Sequence, residues 1–326
     1  MSDSIDLNSL YLNCTQCPRK CGIDRSKAAG FCGEKDKLRV AWAGLHFGEE
    51  PVITVKGGSG TIFFTGCTLR CAFCQNYQIS QNGMGREITT EEFAAMCLHL
   101  QEKGAENINL ITGSHHIPKI AKGIRLAKKK GVKIPFAWNS SAYESVESLE
   151  LLKDMVSIWL PDLKTLNPKL SKDLFAAPDY PEAARKTVKW MLDNYPMEID
   201  GDKMNQGVIV RHLFLPGRFE ETVDVLQWLK DNADGRGVIS LMSQYTPVPF
   251  KEGDAELARR KRALSTIENR LVNLQENEDL EDIIDAYDFE FLYYQELTTD
   301  TDWLPDFNNA VPFPNNLAKK SWHWKD

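Results

Sequence analysis

The sequence contains no apolar run approaching the roughly 20 residues that a membrane-spanning helix requires, so no membrane association is expected. It also lacks a surplus of positive charge: 39 Lys and Arg against 46 Asp and Glu leave a formal net charge of −7. Nucleic-acid binding normally needs a basic domain or stripe. The short run Lys128-Lys129-Lys130 reads instead as the solvated end of a helix, and no nucleic-acid partner is expected. The opening Met1-Ser2-Asp3-Ser4-Ile5-Asp6 has neither the basic flank nor the apolar stretch of a secretory signal. A cytoplasmic protein is therefore expected. No repeat of fixed period and no low-complexity tract is visible, which argues against solenoids and disordered arrays.

What the chain does have is cysteine. There are eight, and a cytosolic protein seldom spends them on disulfides. Seven fall in two tight groups in the first quarter of the sequence, a clustering that favours metal ligation. The eighth, Cys97, sits within Glu91–Leu98 at helical apolar spacing and reads as a buried structural thiol.

One group lies in Gly66-Cys67-Thr68-Leu69-Arg70-Cys71-Ala72-Phe73-Cys74-Gln75-Asn76-Tyr77, just after the apolar run Thr61–Phe64. Cubane iron–sulfur clusters are held by cysteine thiolates and normally take four. Three close cysteines would leave one iron open to a substrate or cofactor, which marks Cys67, Cys71 and Cys74 as a candidate catalytic centre. Zinc would want four nitrogen or sulfur ligands in a closed tetrahedron, and no fourth Cys or His lies close by in sequence.

The other group is Cys14-x2-Cys17-x3-Cys21-x10-Cys32, with Gly22, Gly30 and Gly33 permitting tight turns. Four thiolates satisfy either a structural zinc or a closed iron–sulfur cluster, and the spacing does not separate these outcomes. A site that only staples a core-poor segment stands beside an electron-transfer role.

Three regions are distinguished: a cysteine-bearing N-terminal extension, 1–56; a β/α region, 57–250; and a C-terminal helix and wrapping tail, 251–326. Strands are predicted at Thr61–Phe64, Asn107–Ile111, Lys133–Trp138, Ser157–Leu163, Gly207–Phe214 and Gly237–Met242. Helices are predicted at Thr90–Lys103, Pro118–Lys130, Ser145–Met155, Tyr180–Asn194 and Thr222–Asn232. Apolar strands alternating with helices imply a parallel sheet covered by helices. If that sheet curls into a barrel, functional residues belong at the C-terminal ends of its strands, where the three-cysteine loop falls. Asp254–Gln275, with Leu257, Leu264, Leu271 and Leu274, is expected to be one amphipathic surface helix. The aromatic tail, with Trp303-Leu304-Pro305-Asp306-Phe307 and Pro312-Phe313-Pro314, is expected to wrap the domain and shield an edge of an incomplete barrel.

The C-x3-C-x2-C spacing with Phe73 directly before the last cysteine resembles the signature of radical S-adenosylmethionine (SAM) enzymes. Gly66, Cys67, Leu69, Arg70, Cys71, Phe73, Cys74 and Asn76 resemble the version in glycyl-radical-enzyme activases. Over most of 14–250, and in the tail, the chain resembles the pyruvate formate-lyase activating enzyme-like ([formate-C-acetyltransferase]-activating) proteins. Cys17-Pro18-Arg19-Lys20-Cys21-Gly22 and Gly30-Phe31-Cys32-Gly33 are similar to the N-terminal extension of that group. The resemblance implies an α/β fold, a partial (β/α)6 TIM-type barrel with a small N-terminal metal-binding extension and a C-terminal helical and irregular tail. It implies a [4Fe–4S] cluster on Cys67, Cys71 and Cys74, with SAM chelating the open iron. Reductive cleavage of SAM would yield a 5′-deoxyadenosyl radical that abstracts hydrogen, in the activases from a glycine of a partner enzyme. A reductant such as flavodoxin or ferredoxin and a protein substrate are implied as partners.

The same resemblance suggests further site residues. Phe73 would lie near the adenine. Asp162-Leu163-Lys164 is similar to the activase D-L-K segment, in which the lysine pairs with the SAM carboxylate. Asn139 and Ser140 resemble a polar pair lining the SAM pocket. Arg211 resembles an arginine near SAM, and its place on an apolar strand demands an anionic partner. His212, on the opposite face of that strand, reads as structural. Two segments depart from the pattern. Where many radical SAM enzymes carry Gly-Gly-Glu to receive the SAM amino group, this chain has Thr112-Gly113-Ser114-His115-His116. Thr112 and Ser114 remain candidate cofactor-binding residues, and His115 and His116 candidates for the substrate cavity. Where the better-known activases place a histidine, Ser243-Gln244-Tyr245 stands. A radical SAM enzyme acting on another peptide or a small molecule is therefore the alternative, and a non-enzymatic metal or redox sensor a third.

Overall fold

The computed structural model describes residues 6–295, 297, 301, 304–314 and 316–326. Met1–Ile5 and Trp303 lie outside the described residues. In chain order the elements are β1 (Leu38–His46), β2 (Ser59–Phe64), α1 (Tyr77–Ser80), β3 (Arg86–Ile88), α2 (Thr90–Glu102), β4 (Ile108–Ile111), α3 (Ile117–Lys129), β5 (Phe136–Ser140), α4 (Val146–Leu149) and β6 (Ile158–Pro161). There follow α5 (Pro168–Phe175), α6 (Tyr180–Asn194), β7 (Glu198–Asp200), β8 (Lys203–Leu213), α7 (Phe219–Asn232), β9 (Val238–Met242), α8 (Leu257–Leu264), α9 (Leu274–Tyr287), β10 (Leu292–Gln295) and β11 (Ala318–His323).

The strands form one open sheet in the order β10-β9-β8-β6-β5-β4-β2-β1-β11, with β3 added to β1 and β7 to β8. From β2 through β10 the neighbours are parallel. All six predicted strands are present. The outer face buries Ile62, Leu110, Trp138, Trp159, Val210 and Ile239 under the helices. The sheet is thus the predicted partial barrel, α/β in class and not closed.

Several boundaries differ for identifiable reasons. The third strand begins at Phe136 and not Lys133, because the amides of Lys133 and Ile134 donate to Gln101 Oε1 and Pro135 has none to give. Ser145–Met155 is the short α4 followed by a 3₁₀ turn at Glu150–Leu152. The single helix expected over Asp254–Gln275 does not form. Helix α8 ends where Ser265 Oγ and Thr266 Oγ1 donate to the carbonyls of Arg262 and Ala263, a side-chain competition that breaks helices. Asn273 then starts α9 with a capping box to Glu276. Leu274, expected on the apolar stripe, is exposed, whereas Arg260 is wholly buried.

Two segments close off the inner face. The β1–β2 connection inserts Val52 and Ile53 against Ala137, Ile158, Leu160, Ile209 and Val238, the residues alternating with the outer set. The tail brings Phe307 and Phe313 against Trp42, Phe63 and Ile111 and pairs β11 with β1. Gln78, just beyond the three-cysteine loop, grips the tail through Asp306 Oδ1 (2.8 Å) and the Phe307 amide (2.7 Å). The tail thus lies along the β1 end of the sheet. The strands β1, β3, β7, β10 and β11 were not anticipated.

Candidate active site

The chain leaves β2 and turns at Gly66, whose φ of +82° lies in the left-handed region glycine favours. A Cβ there would come within 2.4 Å of Glu34 Cγ and 2.8 Å of the Cys32 carbonyl oxygen. Immediately afterwards the Cys67 amide donates to that same carbonyl (3.2 Å). The amides of Leu69 and Arg70 both point at Cys67 Sγ, each 3.4 Å away. Cys74 Sγ lies 3.3 Å from Ser80 Oγ. None of the three cysteines is in a disulfide; Cys67 and Cys71 are buried and Cys74 is partly so. Burial pushes the Cys71 thiol up, opposed by the nearby Lys164 ammonium, while Cys67 and Cys74 add to the rise.

The ends of the neighbouring parallel strands deliver a connected polar group. Asp162, just past β6, accepts from Lys164 Nζ at 2.8 Å and from Arg211 Nε of β8 at 2.8 Å. Arg211 also donates to Asn139 Oδ1 of β5 (2.5 Å) and lies 3.5 Å from Glu49 Oε2. The side chains of these charged residues are only 10–20% exposed. Burial works to raise the Asp162 carboxyl, but Arg211 and Lys164 outweigh it and hold it below the ordinary aspartate value. Tyr180 fixes the loop, its hydroxyl donating to the Asp162 carbonyl (2.7 Å) and accepting from the Lys164 amide (2.9 Å).

On the other side, Thr112 adopts φ +59°, a conformation a β-branched residue rarely takes. Ser114 Oγ donates to Glu144 Oε1 (2.5 Å), which also accepts from Trp138 Nε1 (3.4 Å). Ser140 bonds to the same carboxylate, whose pKa burial raises. Phe73 packs edge-on against Phe175 and Tyr245.

Three acids escaped the sequence reading. Glu49 and Glu50 sit in the inserted β1–β2 connection, and burial raises both above the ordinary glutamate value despite Arg211. The signal was Glu49-Glu50-Pro51-Val52-Ile53, a charged pair joined to a small apolar plug. Glu144 lies in the loop after β5, at the end of the sheet where functional residues gather. The histidines come out differently. His115 and His116 are buried and face the N-terminal segment. His115 Nε2 meets the Thr65 carbonyl (2.7 Å), and His116 packs near Tyr11. The 3₁₀ turn Ser114–His116 lies against residues 11–36, with the Arg25 guanidinium donating to the His115 carbonyl. His212 is structural as expected, bonded to the Leu163 carbonyl and Thr222 Oγ1. Ser243 Oγ and Tyr245 OH are taken up by the Gln295 carbonyl and Asn269.

The profile of the Radical SAM superfamily matches residues 61–229. The chain belongs to the radical SAM superfamily. It is also similar to the uncharacterized protein MJ0674 of Methanocaldococcus jannaschii, 29% identical over 287 residues, or 85% of this chain and 78% of that protein. Among solved structures, Streptococcus suis SuiB bound to S-adenosylmethionine aligns with a TM-score of 0.49 at 14% identity, over 71% of this chain and 48% of SuiB. The chain therefore spans about half of SuiB's length. A domain of pyruvate-formate lyase-activating enzyme from Bacteroides vulgatus aligns at TM-score 0.36 and 11% identity, over 55% of this chain and 91% of that domain.

The residues of this radical SAM chain fit a thiolate-held cluster. Three free thiols, with two backbone amides aimed at the Cys67 sulfur, suit such a group. No helix among the described residues is long and apolar enough to cross a membrane.

Proposed function

We propose that this radical SAM enzyme binds a [4Fe–4S] cluster through Cys67, Cys71 and Cys74 and cleaves SAM reductively. The observation that carries the reading is that the three-cysteine loop after β2 and the Asp162–Lys164–Arg211–Asn139 network of β5, β6 and β8 stand at the same end of the parallel sheet, with the Lys164 ammonium in electrostatic reach of Cys71. When bound and reduced, the cluster supplies the electron that breaks the C5′–S bond of SAM and so generates a hydrogen-abstracting radical.

The chain's own residues bind, orient and exclude water. Lys164 offers a compact charge to the SAM carboxylate, with Asp162 fixing its ammonium. Thr112, Ser114, Asn139 and Ser140 present polar groups, the two serines braced by Glu144. Arg211 holds Asn139 and Asp162 in place. Phe73 provides an apolar wall for the adenine. The plug and the tail keep water from the inner face.

The finer reading is activation of a partner enzyme by removing a glycine hydrogen, with flavodoxin or ferredoxin as donor. It rests on the activase-like loop Gly66–Asn76. A second reading, another peptide or small molecule as substrate, is favoured by Ser243 and Tyr245: both are engaged in internal bonds where activases place a histidine.

The test is anaerobic reconstitution followed by measurement of 5′-deoxyadenosine with a strong reductant. Wild type should form it, and Cys71→Ala should not. Deuterium traced into 5′-deoxyadenosine from candidate substrates then separates the two readings. Fully cluster-loaded protein that leaves SAM intact would refute the assignment.

A further inference from the structure

The four N-terminal cysteines come together as a set. Cys14, Cys17 and Cys32 are buried and Cys21 partly so, and none is in a disulfide. Cys17 lies within electrostatic reach of the other three. A Cβ built on Gly30 would be 3.5 Å from Cys32 Sγ and 3.7 Å from Cys21 Sγ, so those two sulfurs flank one glycine. The tight turns around them are set by Gly22 and Gly33, at φ +63° and +83°.

A second observation concerns charge. Arg25 is 1% exposed. Its guanidinium donates to the carbonyls of Glu34 (3.1 Å), His115 (2.5 Å) and Lys35 (2.6 Å) and stands 3.9 Å from Cys14 Sγ. Among the described residues no carboxylate forms an ion pair with it, and the nearby Glu34 carboxylate is turned to Arg39 at 2.8 Å. A buried cation without a counter-charge is costly. Four thiolates around a metal centre carry net negative charge and would supply it beside Cys14.

The segment is also fastened to the catalytic loop. The Cys32 carbonyl accepts from the Cys67 amide (3.2 Å), Arg19 Nε donates to the Thr68 carbonyl (3.0 Å), and Arg70 donates to the Phe31 carbonyl (3.1 Å). A ligand of one set thus touches a ligand of the other through a single hydrogen bond.

We propose that Cys14, Cys17, Cys21 and Cys32 hold a second iron–sulfur cluster, with every iron claimed by the chain, and that it relays electrons to the centre at Cys67. The relay half rests on the reading of Cys67, Cys71 and Cys74 given above; the cluster half does not. No bond forms or breaks in the relay. A low-potential one-electron protein donor, of the flavin or iron–sulfur class, is oxidised by one electron. The N-terminal cluster takes that electron and passes it on through the Cys32–Cys67 contact.

The experiment uses the full chain, reconstituted anaerobically and analysed for iron, sulfide and zinc. Wild type should hold about eight irons and the triple variant Cys67→Ala/Cys71→Ala/Cys74→Ala about four. The triple variant leaves the N-terminal segment intact. After reduction it should show an electron paramagnetic resonance signal that SAM does not alter. A variant with all four N-terminal cysteines replaced by serine should lose most of its SAM cleavage with a flavodoxin-class donor and keep it with dithionite. Stoichiometric zinc in the triple variant, or no iron, overturns the cluster. Equal cleavage with both reductants in the four-serine variant overturns the relay. Two clusters in wild type without SAM cleavage would leave the N-terminal cluster standing and sink the proposed function.

Discussion

Replacing Arg211 with glutamine tests the charge arrangement inside the barrel. Arg211 and Lys164 are two cations facing three carboxylates, Glu49, Glu50 and Asp162. Arg211→Gln leaves one cation against three. Removing one partner of a buried ion pair costs about 3–5 kcal/mol. With 10–20% of these side chains still exposed, the lower end applies, about 3 kcal/mol at neutral pH. The sign with pH follows from the directions of shift. Asp162 is held low by Arg211, a stabilisation present above the unfolded pKa and lost as pH falls. Glu49 and Glu50 are held high by burial, so their stabilisation is present in acid and lost as pH rises through the folded pKa. Taking Arg211 away removes the first contribution and pushes the glutamates further up. Both changes cost most in alkali. The loss should therefore be greatest in mildly alkaline solution and shrink only as pH falls through the depressed folded pKa of Asp162. Urea unfolding under reducing, anaerobic conditions in mild alkali and in acid measures it. Arg211→Lys should recover part of the loss, restoring charge but not the three-way fork. A loss independent of pH, or one below about 1 kcal/mol at pH 8, would refute the account.

Other substitutions probe separate links. Gly66→Ala sets a side chain 2.4 Å from Glu34 Cγ at a left-handed φ; strain of about 1–3 kcal/mol should displace Cys67 and lower iron uptake by its set while circular dichroism stays native. Phe307→Ala empties a fully buried site under the tail and should cost about 3–5 kcal/mol in denaturant unfolding. It should also raise hydrogen exchange along β2 and β4, and unchanged exchange would show that the tail does not seal the inner face. Thr89→Ala breaks the capping box with Glu92 and should cost about 1 kcal/mol, read as a lower thermal midpoint with cofactor binding unaffected.

The superfamily was legible without any coordinates, because the spacing of the three-cysteine loop is a local property and is chemically selective. So were the six parallel strands, since a strand buried on both faces must be apolar along its whole length. Asp162, Lys164, Arg211 and Asn139 could be named singly, but not that Asp162 bonds both cations or that Arg211 reaches Asn139; those distances join strands scattered over 72 residues of chain. Glu49 and Glu50 were invisible because a charged pair in a connection is ordinarily solvated, and only the insertion of Val52 and Ile53 into the inner face carries them inside. The helix expected over Asp254–Gln275 failed for the opposite reason: composition favoured it, yet Ser265 and Thr266 cap it locally and Arg260 is drawn into the interior. Tertiary structure alone put Cys32 against Cys67. A sequence can state which atoms will bind a metal, but only the folded chain, by fixing who lies beside whom, states which of them share charge and electrons.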